Sequence, residues 1–287
     1  MKCIVCGALE VNAYLDERLV QCAECSLVRA ADHYFSLQPS AVYTDVYFQG
    51  LAYVPGETEY VDYQRERQAL ACNFHRRIAI LRGLAGNAKR LVEIGSGYGF
   101  FLELAGRYWE VEGFEISEHA ARQAQRLGAR CICADYLLHD GRASVPDIAC
   151  LWDTIEHLAS PRHVLEKLAA DLPPQGLIAI STGDIGAILP RLQGRHWRLI
   201  HPPTHLWYFS LPTLVQLLRE VGFEPVKIVY PFYYRSLRTC IGKLSHYLPR
   251  RLGDWPIPIQ TGDLMEVYAQ KVGANPQRVL TGTDQQD

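Results

Sequence analysis

The sequence predicts an α/β protein: a doubly wound, mostly parallel sheet of seven strands with a small cysteine-bearing ribbon at its N-terminus. Three observations predict it. Residues 91–105 read LVEIGSGYGFFLELA, an apolar strand that enters a glycine-rich turn and leaves as a helix. Strand-like and helix-like patterns alternate from there to about residue 273, and such alternation builds a parallel sheet with helices on both faces. Two C-x-x-C pairs, Cys3/Cys6 and Cys22/Cys25, precede everything else.

At 287 residues, the chain suits one domain of ordinary size plus a small appendage. Apolar content of 48% is enough for a sizeable core. The net charge of −2 offers no general basic field for nucleic acid or an anionic membrane. No apolar run reaches membrane-spanning length, and MKCIVC does not open a secretory signal. Cys72, Cys131, Cys133, Cys150 and Cys240 lie mostly in apolar segments, which fits buried thiols in a reducing compartment. The expected location is cytoplasmic.

Residues 1–32 form the first unit. Two residues between thiolates let both sulfurs of a tight turn face one ion, and two such turns give the tetrahedral sulfur set zinc prefers. Cys3, Cys6, Cys22 and Cys25 are therefore expected to hold a structural Zn2+, because four thiolates leave no open coordination position; redox dithiols are the alternative. Val11, Tyr14, Leu19 and Val20 suit a short hairpin between the pairs. Lys2, Arg18 and Arg29 are too few cations for a phosphate track, so no nucleic-acid partner is expected. The unit is expected to have a core separate from that of the rest of the chain.

Residues 33–84 are aromatic and then helical. Tyr34, Tyr43, Tyr47, Phe48, Tyr53, Tyr60 and Tyr63 precede or open a helix over about Thr58–Leu84, with Arg65, Arg67, Arg76 and Arg77 on its polar side. The segment is either a connector packed on the main domain or a lid that presents Tyr43 or Tyr47 to a substrate.

Residues 85–273 carry the chemistry. Glu93, Gly95, Gly97 and Gly99 make the pattern E-x-G-x-G-x-G, with Phe100, Phe101 and Leu104 starting the apolar face of the next helix. Alternating glycines suit a turn with unusual backbone angles and close approach of a ligand to the main chain. A dinucleotide fingerprint is absent, since Phe100 and Leu102 stand where G-x-G-x-x-G needs its last glycine. The second strand, VEGFEIS at 111–117, ends in Glu115, a carboxylate able to accept both ribose hydroxyls of an adenosine ligand. ARCICADYL (129–137) runs into Asp135 and Tyr136, and DIACLWDTIEHLASP (147–161) gives a fourth strand with its loop. GLIAIST (176–182) and FEPVKIVY (223–230) follow as the fifth and sixth strands. Ser117 and Gly128 bound one helix, Ser160-Pro161 opens another to about Leu172, and Ser210 and Gly222 bound a third. One insertion, 184–209, carries Arg195, His196, Trp197, Arg198, His201, His205, Trp207 and Tyr208. A second, 231–263, has the spacing of an amphipathic helix, a packing or dimer element. The polar tail 274–287 is expected to lack structure.

The glycine turn resembles motif I of class I S-adenosyl-L-methionine (SAM) dependent methyltransferases, and the later elements follow that family's order over about 85–275. The resemblance implies a Rossmann-like domain whose last strand, MEVYAQK at 265–271, is antiparallel. It implies SAM as cofactor, held by Glu93, Gly95, Gly97, Gly99 and Phe100 at the turn, Glu115 and Ile116 at the ribose, Asp135 and Tyr136 at the adenine, and Asp153. The order of cysteine pairs, Y-x-x-x-Y-F and glycine turn resembles bacterial sugar- and polysaccharide-tailoring methyltransferases. A sugar, nucleotide-sugar or glycan hydroxyl or carbon is therefore the expected acceptor, with Trp197, Trp207 and Tyr208 as stacking faces.

Methyl transfer requires an oriented acceptor atom and, for a hydroxyl, removal of its proton. His205 is the first candidate base: its H-L-W-Y-F-S segment resembles the E-H-x-x-Y-F-S of sugar C-methyltransferases, although Thr204 replaces the glutamate. His157, Glu156 and Tyr47 are the other catalytic candidates. Asp153, Glu156 and His157 also match, with Asp for Glu, the E-x-x-E-H pattern with which ubiquinone-type and RNA-end O-methyltransferases hold a divalent cation, since i, i+3 and i+4 share a helical face. The sequence thus carries two alternatives: a metal-assisted O-methyltransferase of a phenolic or quinone-like acceptor, and a ribbon-guided methyltransferase of RNA or protein. A homodimer stays open.

Overall fold

The computed structural model describes residues 1–36, 45–48, 62–139, 145–202, 204–241 and 249–273. The N-terminal ribbon supplies β1 (Val11–Tyr14), β2 (Leu19–Cys22) and β3 (Val28–Ala30). The main sheet takes β4 (Arg90–Ile94), β5 (Glu110–Glu115), β6 (Cys131–Cys133), β7 (Ile148–Trp152) and β8 (Leu177–Gly183). After them come β9 (Trp207–Tyr208), β10 (Phe223–Val229), β11 (Tyr233–Ser236), β12 (Pro256–Ile259) and β13 (Leu264–Lys271). The longer helices are α1 (Tyr63–Leu84), α2 (Phe100–Ala105), α3 (Glu118–Arg126), α4 (Pro161–Asp171), α5 (Ile188–Gln193) and α6 (Leu211–Glu220).

The seven-stranded sheet has the order β10-β13-β8-β7-β4-β5-β6. Strands β6, β5, β4, β7 and β8 are parallel, and β13 enters antiparallel between β8 and β10. Every residue of β7 and β8 is buried, as strands covered on both faces require. The chain runs outward from β4 to β6 and then returns to β7. A crevice therefore opens beyond the carboxyl ends of β4 and β7, where ligands of such sheets bind.

Local signals fix most boundaries. Asp62 caps α1 through Gln64 N and Arg65 N, Ser117 caps α3 through Ala120 N, and Ser210 with Thr213 forms a capping box on α6. Gly128 and Gly222 follow α3 and α6 with φ of 81° and 93°. Ser160 makes no side-chain cap, and α4 instead begins on Pro161. The third strand is shorter than expected, because Asp135 accepts from Leu137 N and starts a 3-10 turn.

Two expectations are corrected. The segment from residue 231 is not one amphipathic helix: β11 pairs antiparallel with β12, with short helices at Leu237–Ile241 and Arg250–Gly253 between them. Partners on α1 explain this outcome. Asn73 exchanges hydrogen bonds with the backbone of Tyr234, and Glu66 accepts from Ser236 N, so buried polar groups satisfy the outer edge of a strand. Arg76 and Arg77, read as a polar face, also turn inward. Arg76 donates both Nη atoms to the Glu266 carboxylate at 2.6 Å, Arg77 Nε donates to it at 2.7 Å, and Tyr268 donates at 2.9 Å. This cluster fastens α1 to β13 and holds the Glu266 pKa down to about 2 against the effect of burial. The expected tail at 274–287, and Tyr43, Tyr53 and Tyr60, lie outside the described residues.

The ribbon does not keep a core of its own. Its β3 pairs with β9 from the 184–209 insertion, Val28 opposite Tyr208 and Arg29 opposite Trp207, extending the ribbon to four strands. Val5, Cys22, Leu27 and Ala30 pack in one cluster with Trp207, Leu214 and Val267, while Leu19 and Val28 pack with Ile185, Trp197 and Tyr208. Arg162 on α4 donates to the carbonyls of Ile4 and Val5 at 2.6 and 3.2 Å. The Sγ atoms of Cys3 and Cys25 stand 3.5 Å apart, as do those of Cys6 and Cys22. Tetrahedral zinc with ~2.3 Å bonds requires sulfur separations of about 3.8 Å, so the four thiols are spaced for one ion.

Two outcomes follow from this packing. Cys22→Ser should lower the Tm of the whole chain by more than ~5 °C in a single transition, with zinc content falling in parallel. A second, unshifted transition in calorimetry would show that the ribbon melts alone. Glu266→Gln should cost about 3–5 kcal/mol at neutral pH, because two guanidinium groups lose a buried partner. The carboxylate's stabilisation is present above its unfolded pKa and is lost as pH falls from about 4.5 through about 2, so the variant and wild type should converge in acid.

Candidate active site

A cavity of about 520 Å³ lies at the carboxyl edge, bounded by the β4 and β7 loops, α1, the 184–209 insertion and β11. Its walls are mostly apolar and aromatic, with Tyr47, Phe48, Tyr63, Phe74, Phe101, Trp152 and Tyr233 among them.

At one end stands the glycine turn. Gly95, Gly97 and Gly99 have φ of 74°, 53° and 74°, all left-handed. A Cβ on Gly95 would meet Thr154 at 2.6 Å, and one on Gly99 would meet Ala124 at 2.7 Å, whereas one on Gly97 would find only Phe48, at 3.8 Å. Gly95 and Gly99 are thus small for packing, while Gly97 leaves room for something outside the protein. Gly95, Gly97, Phe100 and Glu93 line the cavity; Gly99 does not and serves the α2–α3 contact instead. Glu115 lies at the end of β5, its carboxylate accepting from Gly97 N and Ser117 N at 2.8 Å each. Burial raises its pKa, and those two amides pull it back. Glu93 is buried, with Oε2 lacking a partner among the described residues, and burial holds its pKa well above the usual carboxylate range. Ile116, Asp135 and Tyr136 line the next stretch of wall; Asp135 caps its 3-10 turn, and Tyr136 packs edge-on against Phe114.

Histidines gather at the other end. The His157 and His205 rings are 4.6 Å apart and those of His201 and His205 3.7 Å. His157 Nδ1 meets Thr204 O at 2.8 Å, and His205 Nδ1 meets Leu199 O at 3.0 Å. A carbonyl only accepts, so each Nδ1 carries the proton and each Nε2 carries the lone pair. Burial keeps all three rings neutral, with His157 held down to about 4, His201 to about 3 and His205 well below its usual value. Burial and then the Asp153 charge push Glu156 up to about 8, and its Oε2 has no partner among the described residues. Ligand atoms of Glu156, His157 and His205 all lie within 4.8 Å of one another.

The one-turn set expected from Asp153, Glu156 and His157 is therefore not the one that assembles. Asp153 takes a positive φ of 51°, accepts from Ser181 Oγ at 3.0 Å and faces Arg77 at 3.4 Å, while His205 supplies the third donor from the insertion. The stacking platform is corrected too. Trp197, Trp207 and Tyr208 are buried and away from the cavity, with the indole N–H groups donating to Asp263 and to the Leu158 carbonyl. Tyr47 reaches the cavity wall, packed edge-on against Phe48. Sequence reasoning missed Tyr63 and Glu66 on α1 and Tyr233 and Arg235 on β11, which also line it; the alternating inward positions of β11 were hidden within an apparent helix.

The fold and this cavity define an α/β domain built to bind a small nucleoside-like ligand beside an acceptor. The family described as "Methyltransferase domain" matches residues 63–228, more than half of the chain, and the chain belongs to it. Its seven-stranded sheet has the class I methyltransferase fold. A ubiquinone biosynthesis O-methyltransferase of Caulobacter sp. (strain K31) is 31% identical over 157 residues, half of this chain and 61% of that protein. The chain thus spans about three-fifths of that relative's length. A SAM-dependent methyltransferase of Thermotoga maritima has a TM-score of 0.53 at 20% identity, covering 73% of this chain and 94% of that one. The magnesium protoporphyrin IX methyltransferase of Synechocystis PCC 6803 gives 0.50 at 14%, covering 76% and 90%. Among the described residues no helix is long and apolar enough to cross a membrane.

Gly97→Val should abolish binding of S-adenosylhomocysteine, because a β-branched side chain would be strained at this φ and would fill the space beside the turn. Glu115→Ala should weaken it by about 1.5–3 kcal/mol. Titration calorimetry checks both; undiminished affinity in Gly97→Val would place the cofactor elsewhere.

Proposed function

We propose that the chain methylates a hydroxyl of a planar phenolic or quinone-like small molecule, with a divalent cation held by Glu156, His157 and His205. The observation that carries this reading is the donor set: two neutral imidazoles presenting Nε2 lone pairs beside a buried carboxyl oxygen without a hydrogen bond. Such an oxygen is costly in an apolar wall unless a ligand answers it, and two imidazoles with one carboxylate suit a divalent metal with open positions. The carbonyls of Thr204 and Leu199 orient the rings as outer partners of metal-bound histidines do. A bound cation would polarise the acceptor hydroxyl and ease loss of its proton. The same histidines, kept neutral by burial, are poor proton acceptors on their own, which favours a cation-assisted reaction over simple general-base catalysis. The ubiquinone O-methyltransferase relatives support this acceptor class, and the aromatic cavity wall suits a flat ring. A sugar acceptor loses its main structural argument with the stacking rings buried elsewhere.

In this reading SAM supplies the methyl group, with its adenosine end along Gly97, Glu115, Ile116, Asp135 and Tyr136. Asp153, Trp152 and Tyr47 flank the transfer point and exclude water from it. Cys3, Cys6, Cys22 and Cys25 hold a structural zinc ion, remote from the chemistry. We retain the division into ribbon (1–32), aromatic and helical connector (33–84), methyltransferase domain (85–273) and tail, and a cytoplasmic location, with a homodimer open.

Catechol, SAM and Mg2+ should give a methylated product, and a chelator should suppress turnover until Mg2+ is restored, with ribbon zinc measured in parallel. His205→Asn, which removes a cation ligand, should lower turnover by at least ~10–100-fold and leave S-adenosylhomocysteine affinity within about twofold. Turnover indifferent to both the chelator and the substitution would remove the cation and His205 from the reaction.

A further inference from the structure

The cavity contains a cation that no carboxylate answers among the described residues. Arg235 projects from β11 into it, half-buried, with its guanidinium carbon 4.9 Å from the Tyr233 ring centre. The nearby acids are committed. Glu66 accepts from Ser236 Oγ, from Thr239 Oγ1 at 2.6 Å and from Ser236 N at 3.0 Å. Asp153 accepts from Ser181 Oγ and faces Arg77. Among the described residues, neither acid forms an ion pair with Arg235, whose interactions with them act only through the field. The contrast with Arg76 and Arg77 is direct, since both close on Glu266.

A guanidinium in an aromatic cavity is costly without a counter-charge, and its planar fork matches a carboxylate in a two-point contact. We propose that Arg235 is the carboxylate-reading residue of this cavity. Two ligands of the reaction could supply that group: the methionyl end of the cofactor, or a carboxylate on the acceptor ring. The second source rests on the acceptor reading above and narrows it to carboxylated phenols.

Calorimetry on the full, zinc-loaded chain distinguishes the sources. One arm compares S-adenosylhomocysteine with its decarboxylated analogue. The other compares benzoate with benzamide in the presence of saturating S-adenosylhomocysteine and no divalent metal. The carboxylate-bearing member of one pair should bind wild type at least tenfold more tightly. In Arg235→Gln that preference should shrink to about twofold, while the neutral member binds as before. Arg235→Lys, which keeps charge but loses the fork, should retain an intermediate preference. A preference in the first arm assigns Arg235 to the cofactor, and one in the second assigns it to the acceptor. Equal binding within both pairs by wild type overturns the inference without recourse to any variant, and so does a preference that survives Arg235→Gln in a variant with wild-type Tm. Benzoate has no hydroxyl to methylate. An Arg235-dependent benzoate site in a protein that leaves both catechol and its carboxylated analogue 3,4-dihydroxybenzoate untouched would therefore keep this inference and remove the function proposed above.

Discussion

Leu206 joins the parts of this molecule that matter most to its chemistry. Its N–H donates to the carbonyl of Glu156 at 2.8 Å, and its own carbonyl accepts from Ala30 N at 2.8 Å. One residue is thus held between the turn after β7 and the last strand of the ribbon. His205 precedes it directly, so the separation of His205 from Glu156 and His157 depends on both bonds. The β3–β9 pairing and the Trp207 N–H bond to Leu158 hold the same stretch from its other side. A loop of this length would otherwise sample many conformations. Here the ribbon limits it, and the thiols that order the ribbon act on the histidine cluster through three short links. That gives a physical reason for a metal-sized thiol cluster on a domain whose sheet is otherwise complete.

Electrostatics divides the buried groups into two kinds. Arg76 and Arg77 close on Glu266 and hold α1 against β13, with Arg77 also facing Asp153. At the cavity the balance is left open among the described residues: Glu93 and Glu156 each keep an oxygen without a hydrogen bond, and Arg235 forms no ion pair. Unpaired groups of this sort destabilise a fold, so their grouping around one cavity, between helices fastened by paired charges, marks where ligand atoms complete the structure. Asp153 lies on the boundary, strained in φ and shared between Ser181 and Arg77, with its side chain facing the same space.

The half of the cavity built on the glycine turn was legible because it is local. A strand, a glycine turn and a helix are contiguous in sequence, and the acidic residue at the end of the next strand follows from the same βαβ geometry. Caps at Ser117 and Ser210 and the continuous apolar runs of β7 and β8 were equally direct. The acceptor half was not, because it joins α1, the β7 turn, the 184–209 insertion and β11, segments distant in sequence. His205 could be singled out by residue type, but its partners could not. Helical spacing was overridden at 233–236 by Asn73 and Glu66, which offered a strand edge the hydrogen bonds that a helix would have made internally. Trp197 and Trp207 looked like binding surfaces because indoles often are; their N–H groups found Asp263 and the Leu158 carbonyl, and the rings went inside.

The three glycines of the turn carry this distinction to single residues. All three have left-handed backbones, so sequence alone treats them as equivalent. Gly95 yields space to Thr154 and Gly99 to Ala124, contacts that set the β7 turn and α3 against the strand. Gly95 and Gly97 both line the cavity, but of the three only Gly97 has open space where a Cβ would stand, and its N–H is one of the two that Glu115 accepts. The Glu115 carboxylate is thereby oriented by the same residue whose missing side chain leaves open space beside the turn. Position 97 couples the cavity's shape to the placement of its acid, position 95 joins the cavity wall while packing the β7 turn, and position 99 acts on the site by packing α3 alone.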